Sequence, residues 1–75
     1  MKNIKKIRVL NEYTQLKVQM ETGISQSILS KYERGDLMPT TENLIILADF
    51  YKTSLDYLTD RTDVEKPYPM KNQEK

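Results

Sequence analysis

Cysteine, histidine and tryptophan are absent from this 75-residue sequence, and glycine occurs only twice. Without cysteine, neither disulfides nor thiolate metal sites can staple the fold. Without histidine, the usual metal ligand and the commonest general base are missing as well. The carboxylates are scattered, and acidic neighbours fall only in turn-like or terminal segments. Neither an enzyme nor a cofactor or metal is expected.

Long apolar runs are lacking too. The longest, "LIILA" at Leu44 to Ala48, falls far short of the roughly 20 residues that cross a bilayer. The opening "MKNIKKIRVLNEY" has no uninterrupted apolar segment and no small-residue cleavage site. The expectation is a soluble cytoplasmic protein with no membrane partner. Strand signals are equally poor, with no sustained alternation and no Asn-Gly or Asp-Gly turn. A chain this short buries only about 60% of the surface it exposes when unfolded, so there is room for one domain.

Helix punctuation is plentiful. Ile4 and Ile7 begin an amphipathic stretch that ends near Asn11. Thr14 can cap a helix over 15–22 closed by Gly23, and Ser25 one over 26–34 closed by Gly35. Thr40 caps a fourth helix through about Tyr51, and Ser54 a fifth over 55–60. A capping hydroxyl satisfies an orphaned N–H, and glycine accepts the left-handed conformation that ends a helix. These signals predict an all-α, compact five-helix domain over 1–61. Residues 62–75 are polar, aperiodic and contain Pro67 and Pro69, which reads as a flexible tail.

The net charge of +1 divides unevenly. Residues 1–34 carry seven basic side chains against three acidic ones, and 35–75 carry five against eight. One end suits a polyanion and the other turns away from it.

Helices two and three are joined by Gly23-Ile24-Ser25, a three-residue turn with glycine, as in a helix-turn-helix. On a helical wheel Gln26, Ser27, Ser30, Lys31 and Arg34 share one side of helix three. Leu29 and Tyr32 lie on the other, with Ile28 at the border. Glutamine matches the N6/N7 edge of adenine, lysine reaches the acceptors of guanine, and serine bonds to bases or phosphates. An ordinary solvated helix is the competing explanation of that face. The turn and its caps favour DNA reading.

The stretch "TQLKVQMETGISQSILSKYERG" resembles the phage repressor/Cro type of helix-turn-helix, the XRE family, in which a five-helix domain binds operator DNA. The resemblance runs from about Ile4 to Asp63 and includes "PTTENL" and "LADFY". It implies that Gln15 holds a phosphate and buttresses the recognition helix, that Gln26, Ser27 and Lys31 read bases, and that Ser30 and Arg34 touch phosphates or the groove edge. It also implies a structural ion pair between Arg8 and Glu33. The chain departs from the family pattern at Gln19, where alanine is usual, at Thr22, where leucine is usual, and at Lys52, where glycine often precedes the fifth helix. The long side chain of Gln19 is expected to point toward solvent.

The function expected is a sequence-specific DNA-binding transcriptional regulator, most simply a repressor, encoded by a bacterium or phage and acting at the nucleoid. A DNA-binding antitoxin and a protein-interaction module that antagonises another regulator are the alternatives. The partners expected are double-stranded DNA and a second copy of the chain. Ile4, Ile7, Val18, Leu29, Tyr32, Leu44, Leu47, Ala48, Tyr51, Leu55 and Leu58 form the expected core. Ile46 and Phe50, with Tyr57 or Leu58, are the candidate dimer surface.

Overall fold

A computed structural model describes residues 1–66 of the chain. Each helix begins where a hydroxyl or carboxylate can take its first N–H groups. The helices are α1 (Lys2–Leu10), α2 (Gln15–Thr22), α3 (Gln26–Arg34), α4 (Thr41–Tyr51) and α5 (Leu55–Leu58). Thr14 Oγ1 accepts from Lys17 N, Ser25 Oγ from Ile28 N, Thr40 Oγ1 from Asn43 N and Ser54 Oγ from Tyr57 N. Gly23 and Gly35, both at φ 81°, close α2 and α3 in the left-handed conformation.

The cap of α1 comes from the far end of the chain. Asp60 Oδ2 and Oδ1 accept from the N–H groups of Lys2 and Asn3 at 3.0 and 2.8 Å. A carboxylate there also favours the positive end of the helix dipole. Asn3, buried, donates through Nδ2 to the carbonyls of Tyr57 and Thr62 at 2.8 and 3.1 Å. Sequence order separates these groups by nearly the whole domain, and the fold brings them together.

Every helix contributes to one core. Ile4 and Ile7 come from α1, Val18 from α2, Ile24 from the turn, Leu29 and Tyr32 from α3, Leu47 from α4, and Tyr57 and Leu58 from α5. Full burial of one such side chain contributes roughly 1.5–3 kcal/mol. No helix supplies more than two of them, so none is stable without the others. α3 packs against α1 and α2, α4 against α5 and α2, and α1 against α5. Asn43 Nδ2 also donates to the Tyr32 hydroxyl at 2.8 Å, tying α4 to α3.

Three details differ from the sequence reading. Leu44, Ala48 and Tyr51 are half-buried around the core rather than inside it. Helix α5 is a single turn: Asp60 turns to φ 66° so that its carboxylate meets α1, and the helix ends at Leu58. That one turn is oriented with Tyr57 and Leu58 inward, 1% and 0% exposed, and Leu55 outward, 42% exposed. Of the residues expected in the tail, 62–66 are described: the Thr62 carbonyl accepts from Asn3, and the Glu65 carbonyl from the buried Thr53 hydroxyl. The remainder of that segment, 67–75, lies outside the described residues.

Candidate nucleic-acid interface

The turn between α2 and α3 is held by hydrogen bonds from two polar residues. Thr22 Oγ1 donates to the Val18 carbonyl at 2.7 Å and accepts from the Ile24 N–H at 3.2 Å. Gln19 does not extend into solvent: its Oε1 accepts from the Gln26 N–H at 2.6 Å. Where the XRE pattern has leucine and alanine, this chain bonds backbone groups of the turn and of the start of α3. Ile24 fills the angle between the two helices, 5% exposed.

Behind α3 lies a charged network. Arg8 Nε donates to Glu33 Oε2 at 2.7 Å, and a second guanidinium nitrogen donates to Oε1 at 3.0 Å. The third donates to the Tyr13 carbonyl at 2.8 Å. The side chains are 14% and 5% exposed. The bond to Glu33 raises the pKa of Arg8, so the guanidinium keeps its charge. Gln15 Nε2 adds a bond to Glu33 Oε1 at 3.1 Å. Burial raises the Tyr51 phenol, which borders this network, above its usual pKa. The carboxylate thus receives three hydrogen bonds from two elements and fixes the end of α3 against α1 and the start of α2. Gln15 is drawn inward onto this network.

The opposite side of α3 is open. Gln26, Ser27 and Lys31 are exposed, and their side chains have no hydrogen-bond or ion-pair partner among the described residues. Ser30 and Arg34 are engaged with one another: an Arg34 guanidinium nitrogen donates to Ser30 Oγ at 2.6 Å. Arg34 Nε also donates to Asp36 Oδ2 at 2.8 Å. Closure of α3 through Gly35 brings Asp36 there, since its N–H returns to the Lys31 carbonyl at 2.9 Å. Sequence reasoning missed Asp36. The signal was present in a carboxylate two residues beyond an arginine across a helix-ending glycine.

The candidate dimer surface needs correction. Tyr57 and Leu58 are core residues and have no surface to offer a partner. Ile46 and Phe50 are half-buried against the core, and Phe50 packs on Tyr13 and Tyr51 with ring centroids 5.5 and 4.9 Å apart. The exposed large apolar side chains of α4 and α5 are Ile45 and Leu55. Among the described residues no His, Cys, Asp and Glu side chains gather into a group able to hold a metal ion. Nor is any helix long and apolar enough to cross a membrane.

The RstR transcriptional repressor of the cryptic phage CTXphi in Vibrio cholerae serotype O1 is 44% identical over 48 residues, 64% of this chain and 43% of that protein. The HTH-type transcriptional regulator ImmR of Bacillus subtilis is 35% identical over 65 residues, 87% of this chain and 51% of that protein. The chain spans about half the length of these curated relatives. No solved structure matches it. The helix-turn-helix profile matches residues 4–58, from α1 to the end of α5, and the chain belongs to that family, in its XRE type.

Proposed function

We propose that the protein is a DNA-binding transcriptional regulator, acting as a repressor, that lays α3 in the major groove of an operator. The observation that carries this reading is the free Gln26, Ser27 and Lys31 face on a helix whose other sides are bonded or buried. A helix kept rigid from behind and unpartnered in front suits a ligand that supplies its own donors and acceptors, as base edges do. The relatives named as a transcriptional repressor and a transcriptional regulator support the same reading. The Gln15 amide keeps a second N–H for a backbone phosphate while the first holds Glu33. Arg34 exchanges Asp36 for phosphate when DNA arrives. Two copies bind one operator, because a single α3 reads too few base pairs and two-fold dimers place half-sites about 10 bp apart or multiples of that. The working site is the bacterial cytoplasm, at the nucleoid.

Selection from a random duplex library, followed by titration of the selected operator, tests the reading. Alanine at Gln26, Ser27 or Lys31 should cost on the order of 1–3 kcal/mol and relax preference at one position. Alanine at Gln15 or Arg34 should weaken binding to all sequences alike and flatten the salt dependence. Unchanged base preference in all three base-reading variants removes α3 from the groove.

A further inference from the structure

The first N–H groups of any α-helix lack partners within it. In α3 two of them are taken by side chains of different origin. The Ile28 N–H goes to the local cap, Ser25, at 3.2 Å. The Gln26 N–H goes to Gln19 Oε1, on the preceding helix, at 2.6 Å. Ser25 alone would have stabilised the helix end, so the second bond has a different geometric effect. It ties α2 directly to the first residue of α3 across Gly23-Ile24-Ser25.

The turn itself is held by Thr22 and by the buried Ile24, and Leu29 and Tyr32 seat α3 in the core. Gly23, at φ 81° with open space where a Cβ would lie, contributes no packing of its own, so the backbone N–H at the start of α3 is held by Gln19 rather than by the glycine. The Arg8–Glu33 pair anchors α3 only near its other end. Gln26, the first residue of α3, is also the residue with the most demanding task. An amide that reads adenine makes two hydrogen bonds at once, and binding groups need placement to within about 0.5 Å.

We propose that Gln19 is a specificity-determining positioning residue: its bond to the Gln26 N–H sets the direction in which the Gln26 side chain leaves α3. This rests on the reading of α3 as the recognition helix. Gln19 acts through Gln26, without reading a base. An alanine at this position cannot reach across the turn, so base selection at the Gln26 contact depends here on a strap that the usual residue lacks.

The test compares the parent, Gln19→Ala and Gln19→Glu on the operator selected by the parent and on its single-base variants, with thermal unfolding alongside. Alanine is small enough to fit without clash, and glutamate keeps an acceptor for the Gln26 N–H. Gln19→Ala should lose discrimination at one base pair per half-site by at least about fivefold, the lower end of what one good base contact supplies. Its salt dependence should stay that of the parent, because no phosphate contact is lost. Gln19→Glu should keep the discrimination at that base pair while binding every sequence more weakly, since its charge faces phosphates. A merely structural role would lower the unfolding temperature of Gln19→Ala and leave base preference intact, and that outcome overturns the proposal. A loss of preference that Gln19→Glu fails to restore overturns it as well. A parent that selects no sequence at all defeats instead the reading of α3 on which the proposal rests.

Discussion

Arg8 spends all three guanidinium nitrogens on structure, two on Glu33 and one on the Tyr13 carbonyl. With so little of either side chain exposed, removing one partner strands a charge that water reaches poorly. Arg8→Ala and Glu33→Ala should each cost about 3 kcal/mol of unfolding free energy, and the double variant much less than their sum. Urea denaturation of the three chains measures the coupling, and strict additivity would mean the contact carries no energy. Asp36 has the reverse character. Its pair with Arg34 is exposed on both sides and contributes little to stability. It competes with phosphate for the same guanidinium. Asp36→Asn should therefore bind random duplex more tightly and steepen the plot of log affinity against log salt by about one unit, with unfolding nearly unchanged. An unaltered slope would show that Arg34 does not meet the DNA backbone.

At the level of elements, α4 closes in the same left-handed conformation as α2 and α3 but without a glycine. Lys52 ends α4 in the left-handed conformation, φ 55°, with its N–H on the Ala48 carbonyl. A side chain there crowds its own backbone, a cost that glycine avoids. Lys52→Gly should raise stability by up to about 1 kcal/mol, read as an upward shift of the thermal midpoint. A lower midpoint would mean that the lysine stem makes contacts that outweigh the strain. The starts of α2, α3, α4 and α5 were all legible in the sequence, because a hydroxyl three residues before the N–H it accepts is a local signal. The cap of α1 was not legible, since Asp60 and Lys2 lie at opposite ends of the domain. The same residue, Asp60, takes the left-handed conformation just past the end of α5, where the sequence suggested that the helix ran on to 60. On α3 the division into faces was readable from periodicity alone. The pairing of Gln19 with the Gln26 backbone was not, because it depends on the angle between two helices.

For the whole molecule, the basic first half holds the α3 face, and the acidic second half holds α4 and α5. A partner copy that joins through the acidic half leaves both α3 helices free for one duplex. Ile45 is the exposed apolar residue of α4, and a lysine there should cost less than about 0.5 kcal/mol of folding stability. Sedimentation of Ile45→Lys on a palindromic operator should show one chain where the parent shows two. Two chains on the operator in the variant would exclude Ile45 from the contact. The clasp of Asn3 and Asp60 also governs the order of events during synthesis. Residues 2 and 3 are made more than fifty residues before their partners at Tyr57, Asp60 and Thr62. Helix α1 lacks its Asp60 cap while α3 is already translated. A nascent chain stopped at residue 56 should be cut readily by protease, and one extended past residue 66 should resist. Resistance in the shorter chain would show that the clasp is dispensable. Otherwise the α3 face matures all at once, when the α5 end of the domain emerges.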